Sequence, residues 1–306
     1  MCGLYGILSY GDEIRDINEI IEALAIESAV RGTDATGIAY NTRGKLNIFK
    51  RSKSAYEINF RVPHGAAVVM GHTRNATQGT LKFNGNNHPF RGKCGKTDFA
   101  FAHNGILAND RTLRRELKLP PTRIETDSYI GVQLIESKGQ FNIDSIRYMA
   151  EKVDGSFSFS LLDDHDNLYL VKGDSPLAIF HFPQKCVYVY ASTLSILWKA
   201  LVDTELFYDL QLHDYEEIKI ADGEILTIKS SGELDRDKFN YDVTSSYGLD
   251  WRRGFDYADY FEDDDYEVDL KSVAPYFGYD EDDVERLLSD GYLPEEIEEL
   301  MYGRRW

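Results

Sequence analysis

Between residues 157 and 191 the chain spells four short apolar runs, at 157–162, 168–171, 178–182 and 187–191, each separated from the next by Asp, Asn, Gly or Pro. Runs of about four to six residues are too short for ordinary helices and fit strands joined in hairpins or a meander. Two earlier runs, 66–70 ending at Gly71 and 99–102 ending at His103-Asn104-Gly105, read as buried strands of the same kind. A last strand is expected at 224–228, after the turn signal Asp222-Gly223. Helical spacing appears at 17–30, where Ile17, Ile20, Ile21, Leu24 and Ala25 fall on one stripe, and further helices are expected at 127–136, 143–152 and 193–202. Strands grouped in runs with helices between them predict an α+β layered domain and not a doubly wound parallel sheet.

Charge divides the chain. The net charge is -18, yet residues 231–306 alone hold 23 acidic and eight basic residues, which leaves the first 230 close to neutral. A nucleic-acid-binding surface would be basic, so none is expected. The shift predicts a folded body over 2–230, an acidic, aromatic-rich linker over 231–279 and a small two-helix segment over 280–306. Within the linker, 254–269 carries eight acidic residues, no Lys or Arg, and five aromatics. That composition suits a solvated tether, or a strip that docks Phe255, Tyr257, Tyr260, Phe261 and Tyr266 on a basic, apolar groove. In the last segment Val284, Leu287 and Leu288 form one apolar stripe, and Ile297, Leu300 and Met301 another.

No apolar run approaches the roughly 20 residues that span a bilayer, and the first ten residues lack the pattern of a signal peptide. Cys2, Cys94 and Cys186 lie too far apart in sequence for a C-x-x-C pair or a disulfide framework. Together these predict a cytoplasmic protein without a membrane partner.

The chemistry starts at Met1-Cys2-Gly3. Removal of Met1 would leave Cys2 with a free α-amine, a group that titrates at about 7.7–8.0 and is partly neutral near pH 7–8. One residue would then supply both nucleophile and base. Further blocks follow in order: Cys2-Gly3-Leu4-Tyr5-Gly6-Ile7, Arg31-Gly32-Thr33-Asp34-Ala35-Thr36-Gly37, Gly71-His72-Thr73-Arg74-Asn75-Ala76-Thr77-Gln78-Gly79, Asn87-His88-Pro89-Phe90, His103-Asn104-Gly105-Ile106 and Thr126-Asp127-Ser128. In this order and spacing they resemble the class II glutamine amidotransferases, from Cys2 to about residue 230. The resemblance implies a four-layer αββα sandwich, the N-terminal-nucleophile hydrolase fold, followed here by an acidic extension ending in short helices.

Carried over residue by residue, the resemblance makes Cys2 the nucleophile that attacks the side-chain amide of L-glutamine. Asn104 and Gly105 become oxyanion-hole donors, although Asn-Gly is also the dipeptide of a type I′ turn. Arg74 would grip the substrate α-carboxylate with a guanidinium fork, and Asp127 would take the α-ammonium or serve as a helix N-cap. Thr77 would line the same pocket. Two positions depart from the family: Asn75 where relatives often carry an aromatic residue, and Gln78 where they carry His. Both belong to the loop that closes over glutamine.

Glycine spacing rules out a phosphate-binding loop at Gly92-Lys93-Cys94-Gly95-Lys96-Thr97. His64, His72, His88 and His103 are not spaced as a metal-ligand set, so neither metal nor cofactor is expected. Cys94 and Cys186 read as small buried hydrophobes. The expectation is therefore a cysteine amidohydrolase releasing ammonia from glutamine, with a separate synthase subunit as ammonia acceptor. Hydrolysis of another γ-glutamyl amide and non-catalytic sensing of glutamine stay open.

Overall fold

Central strands buried almost without a break let this sequence build two antiparallel sheets that pack face to face. The computed structural model describes residues 2–11, 17–202, 204, 206, 215–241, 271, 279–289 and 297. In chain order the elements are β1 (Gly3–Ser9), α1 (Ile17–Glu27), β2 (Ala35–Thr42), β3 (Lys45–Arg51), β4 (Val68–Arg74), β5 (Phe90–Cys94), β6 (Thr97–Leu107), α2 (Asp110–Glu116), α3 (Tyr129–Glu136) and α4 (Ile143–Lys152). They continue with β7 (Gly155–Asp163), β8 (Leu168–Lys172), β9 (Ala178–Phe182), β10 (Val187–Ala191), α5 (Leu194–Leu201), β11 (Glu216–Glu217), β12 (Glu224–Ile228), β13 (Leu234–Lys238) and, last, α6 (Glu281–Ser289).

The first sheet has the order β11-β9-β10-β1-β4-β2-β3 and the second β13-β12-β8-β7-β6-β5. Between them lie Leu4, Leu8, Ala39 and Met70 from one side and Ala100, Ala102, Leu162, Leu170 and Leu226 from the other. Helices α1 and α5 pack on each other and on the outer face of the first sheet. Helices α3 and α4 cover the second, where Phe101, Phe157 and Phe159 meet Ile130, Leu134, Ile146 and Met149. The result is the α+β, four-layer αββα sandwich that the sequence implies. At Gly71 the close packing is visible: a Cβ there would stand 2.1 Å from the Tyr5 ring.

Helix α4 starts on a capping box, with the Asn142 side chain accepting from Ser145 N at 2.9 Å. Helix α3 begins at Tyr129 after Ser128, and Asp127 sends its carboxylate elsewhere. The second sheet runs on past the charge shift at residue 230. There β13 pairs with β12 through Ile228↔Leu234 to Glu224↔Lys238, and Phe239 is buried behind it. The first compact unit accordingly extends to Gly248, and residues 249–306 form a second unit. In that unit Val284 of α6 is buried in a small cluster with Ile297, Tyr279, Leu287 and Leu288. Most of the expected linker over 231–279, its acidic stretch 254–269 included, and most of the second terminal helix fall outside the described residues. Among the described residues no helix is long and apolar enough to cross a membrane.

Candidate active site

Strand β1 lies between β10 and β4, pairing with β4 through Gly3↔Thr73 and Leu4↔His72. Continuing that register by one residue sets Cys2 beside Arg74 at the shared end of the two strands. Alternation along both strands then turns Cys2, Leu4, His72 and Arg74 toward the gap between the sheets. Cys2 is half-buried; its Sγ lies 3.5 Å from the Asn75 carbonyl oxygen, and its own carbonyl accepts from Arg31 Nε at 2.9 Å. Burial pushes the Cys2 thiol above its ordinary value, the Arg74 guanidinium opposes that rise and the Asp127 carboxylate adds to it. The three groups therefore share one electrostatic field, and Arg74 in turn feels Cys2, Asp34 and Asp127.

Arg74 is 2% exposed. Its Nη1 donates to Asn87 Oδ1 at 2.7 Å, and its Nη2 donates to the carbonyls of Gln78 at 2.5 Å and Gly79 at 3.2 Å. Burial lowers its pKa. The loop after β4 is tied down further by Asp34 Oδ2, which accepts from Ala76 N at 2.8 Å, and by Glu125 Oε2, which accepts from Thr80 N at 2.9 Å and Asn86 Nδ2 at 2.8 Å. Thr77 and Asn75 are exposed on this loop.

The second sheet supplies Asn104 and Gly105 from β6, opposite Ser158 and Phe157 of β7. Asn104 shares the inter-sheet face of Ala102, whereas His103 points to the helical layer and its Nδ1 lies 2.8 Å from Ser128 Oγ. Asn104 is buried, and neither polar atom of its amide has a hydrogen-bond partner among the described residues. Gly105 has φ +134°, and a Cβ there would come within 2.0 Å of the Ser156 carbonyl oxygen. These two residues lie inside a continuous β6–β7 ladder, so the dipeptide is not a hairpin turn. Two residues on, Leu107 N donates to Asp127 Oδ2 at 2.7 Å, which ties the Asp127 carboxylate to the end of β6. The other oxygen, Oδ1, accepts from Ser128 Oγ at 3.3 Å, so the carboxylate is held by these two bonds and not as a helix cap.

Behind these groups lies a buried cluster of histidines. His72 stacks on His88 at 4.1 Å, and His72 Nε2 lies 3.0 Å from the His103 carbonyl oxygen. Burial pushes His72 down to about 3 and lowers His88 and His103 as well. Lys50, whose Nζ donates to the carbonyls of Asn87 and Pro89, is lowered to about 8 by burial and by Arg74. Among the described residues no three His, Cys, Asp or Glu side chains are grouped to hold a metal ion. Arg31, Asp34 and Asn87 were visible only as members of the quoted blocks, and Glu125 carried no signal beyond standing next to Thr126-Asp127-Ser128.

Comparison with known proteins identifies the family. Residues 72–199 match the family described as a glutamine amidotransferase domain. The glutamine–fructose-6-phosphate aminotransferase (isomerizing) of Halalkalibacterium halodurans is 32% identical over 238 residues, which cover 75% of this chain and 37% of that protein. The enzyme of the same name from Pyrococcus horikoshii is 33% identical over 191 residues, 58% of this chain and 30% of that one. Among solved structures, glutamine phosphoribosylpyrophosphate amidotransferase from B. subtilis superposes with a TM-score of 0.62 at 21% identity, covering 79% of this chain and 50% of its own, a likeness of fold. The chain thus spans only about a third of the length of the curated relatives it matches. The sandwich and the family match converge, and the chain belongs to the class II, N-terminal-nucleophile glutamine amidotransferases.

Proposed function

We propose that this domain hydrolyses the side-chain amide of L-glutamine to glutamate and ammonia through a thioester on Cys2. The observation that carries the reading is the place of Cys2, one residue before the Gly3↔Thr73 pair of β1 and β4 and within the fields of Arg74 and of an Asp127 carboxylate tethered to the strand of Asn104 and Gly105. With Met1 removed, the Cys2 α-amine takes the thiol proton as Sγ attacks the amide carbon. The carbonyl oxygen becomes an oxyanion opposite the Asn104 amide and the Gly105 N–H, donors of the kind worth about 100- to 1,000-fold in turnover. Collapse of the intermediate breaks the C–N bond, and the proton held by the amine leaves with ammonia. Water then adds to the thioester by the same route, releasing glutamate and the thiol.

Arg74 and Asp127 read the two charges of a free amino acid, carboxylate by guanidinium and ammonium by carboxylate, and Thr77 lines the pocket edge. The reaction calls on no metal or cofactor. Asn75 and Gln78 leave the loop without the aromatic residue and histidine common in relatives, so the affinity for glutamine is expected to be lower. Ammonia passes to a synthase, supplied here by a separate subunit, in a reducing, cytoplasmic setting that keeps Cys2 a thiol.

The test is glutamate release from L-glutamine by purified protein whose intact mass shows Met1 absent, beside Cys2→Ala. Turnover that disappears in the variant supports the reading. Release of another γ-glutamyl amide's leaving group, with glutamine untouched, would replace it.

A further inference from the structure

Outside the Cys2 site, a cavity of about 310 Å3 opens between β3 and the segment 84–91, lined by Ile48, Lys50, Arg51, Asn84, Pro89 and Arg91. Three of its six lining side chains are cationic and none is acidic. Residues 1–230 hold 29 acidic and 26 basic residues, so a lining with cations alone is uneven for the body in which the cavity lies. The cations are held in place chiefly by carbonyls and ring faces. Lys50 Nζ donates to the Asn87 and Pro89 carbonyls at 2.5 and 3.0 Å and lies 5.1 Å from the centre of the Phe90 ring. Arg51 donates through Nη1 to the Lys50 carbonyl at 2.9 Å and rests 4.6 Å from the centre of the Phe49 ring. Arg91 donates through Nη2 to the Leu46 carbonyl at 2.8 Å, and its Nη1 meets Asp98 at 3.3 Å, a carboxylate that Lys93 also engages at 3.1 Å.

Such anchoring orders the three side chains while leaving their charge largely uncompensated. Lys50 shows the consequence: half-buried, with no counter-ion among the described residues and close to Arg74, it loses its proton more readily than an ordinary lysine. An anion in the cavity would reverse that penalty, and pre-ordered donors reduce the entropy lost on binding. Guanidinium groups match the oxygens of phosphate in pairs, and an ammonium adds a point charge. Ile48 and Pro89 offer an apolar wall for a short carbon skeleton, and the volume lies at the lower end of small-ligand sites, about 300–1,000 Å3. We propose that this cavity binds a small phosphomonoester, its dianion held among Lys50, Arg51 and Arg91 and its carbon skeleton against Ile48 and Pro89.

Inorganic phosphate shares the dianion, so the test separates the two sources. Titration calorimetry on the full chain, at constant ionic strength set with chloride, would use glycerol 3-phosphate, inorganic phosphate and glycerol. The expected result is saturable binding of glycerol 3-phosphate, competition by inorganic phosphate, no response to glycerol, and at least tenfold weaker binding in Arg51→Glu. Arg51 is exposed, so that variant is expected to fold, which circular dichroism checks; Arg91→Gln gives a second, independent loss. Failure of glycerol 3-phosphate to saturate, equal affinity in wild type and both variants, or binding of inorganic phosphate alone would each overturn the proposal. The readout involves no glutamine turnover, so it stands apart from the proposed reaction.

Discussion

Asn104 is the residue at which stability and catalysis should part. Asn104 is 1% exposed, and neither its amide oxygen nor its amide nitrogen has a hydrogen-bond partner among the described residues. An amide buried without bonds costs about 1–3 kcal/mol on the scale of protein mutational data. Asn104→Ala removes that cost and leaves a void of about 25 Å3, worth roughly 0.6 kcal/mol at about 24 cal/mol per Å3. The variant should therefore be more stable by about 0.5–2.5 kcal/mol. At about 2–4 °C per kcal/mol for a domain of this size, the midpoint of thermal unfolding rises by about 1–10 °C. Glutaminase turnover should fall in the same variant by about 100- to 1,000-fold, the cost of one oxyanion donor. Calorimetric unfolding of wild type and variant, run beside glutamate release, measures both. A variant destabilised by more than about 1 kcal/mol would refute the picture of an unbonded amide, and unchanged turnover would refute its part in the chemistry.

Gly105→Ala should instead be costly: its φ of +134° is strained for any side chain by about 1–3 kcal/mol, and the new Cβ would meet the Ser156 carbonyl at 2.0 Å, so an unfolding free energy from urea titration lowered by at least about 2 kcal/mol is expected. Asp127→Asn keeps an acceptor for Leu107 N but loses the charge for the substrate ammonium; steady-state kinetics should show KM for glutamine raised about 10- to 100-fold, the gap between charge-assisted and neutral bonds, with unchanged circular dichroism. His72, buried and lowered to about 3, binds no proton in the folded state at pH 5 while the unfolded chain does. Its contribution is whole above the unfolded value of about 6.5 and is lost as pH falls from there toward 3, by about 2 kcal/mol at pH 5. His88 and His103 shift in the same direction, so urea midpoints that stay level between pH 7.5 and 5 would contradict this.

Where burial alternates or runs unbroken, the strands were legible: β9, β10 and β12 begin and end where their apolar runs do. Strand β1 was not, because Gly3 and Gly6 interrupt its apolar signal, although six of its seven residues are buried. The β2–β3 hairpin turns on Arg43 and Gly44, both with positive φ, and an arginine there advertises a turn poorly. Strand β13 reads Leu-Asp-Arg-Asp-Lys, which no propensity scale favours, and it forms because β12 offers an open edge. A change in charge at residue 230 marks a change in exposure, and an edge strand is an exposed thing, so the charge shift precedes the end of the fold. At the site, residue types and order were readable. The ties by Asp34, Asn87 and Glu125 were not, since each acts across 13 to 45 residues of sequence, and several act through backbone atoms that no motif records.

Those ties also bear on the two departures in the loop after β4. Asn75 and Gln78 differ from relatives in their side chains, yet both take part here through main-chain oxygens, one toward Cys2 Sγ and the other toward Arg74. The loop's position is thus set by bonds that either substitution leaves intact. Arg74 has a more consequential conflict. Both protons of its Nη2 are spent on the Gln78 and Gly79 carbonyls, and Nη1 gives one to Asn87. A guanidinium can fork onto a carboxylate only through Nη2 paired with Nε or with Nη1. On the proposed role of Arg74, glutamine must therefore displace one loop carbonyl to be held by two bonds, and the longer contact, to Gly79 at 3.2 Å, is the one to yield. Glu125 holds the neighbouring Thr80 and Asn86 from the strand of chain that leads into Asp127. The two residues that would read the ends of the substrate are then joined through one loop, held in place by the same Glu125 carboxylate.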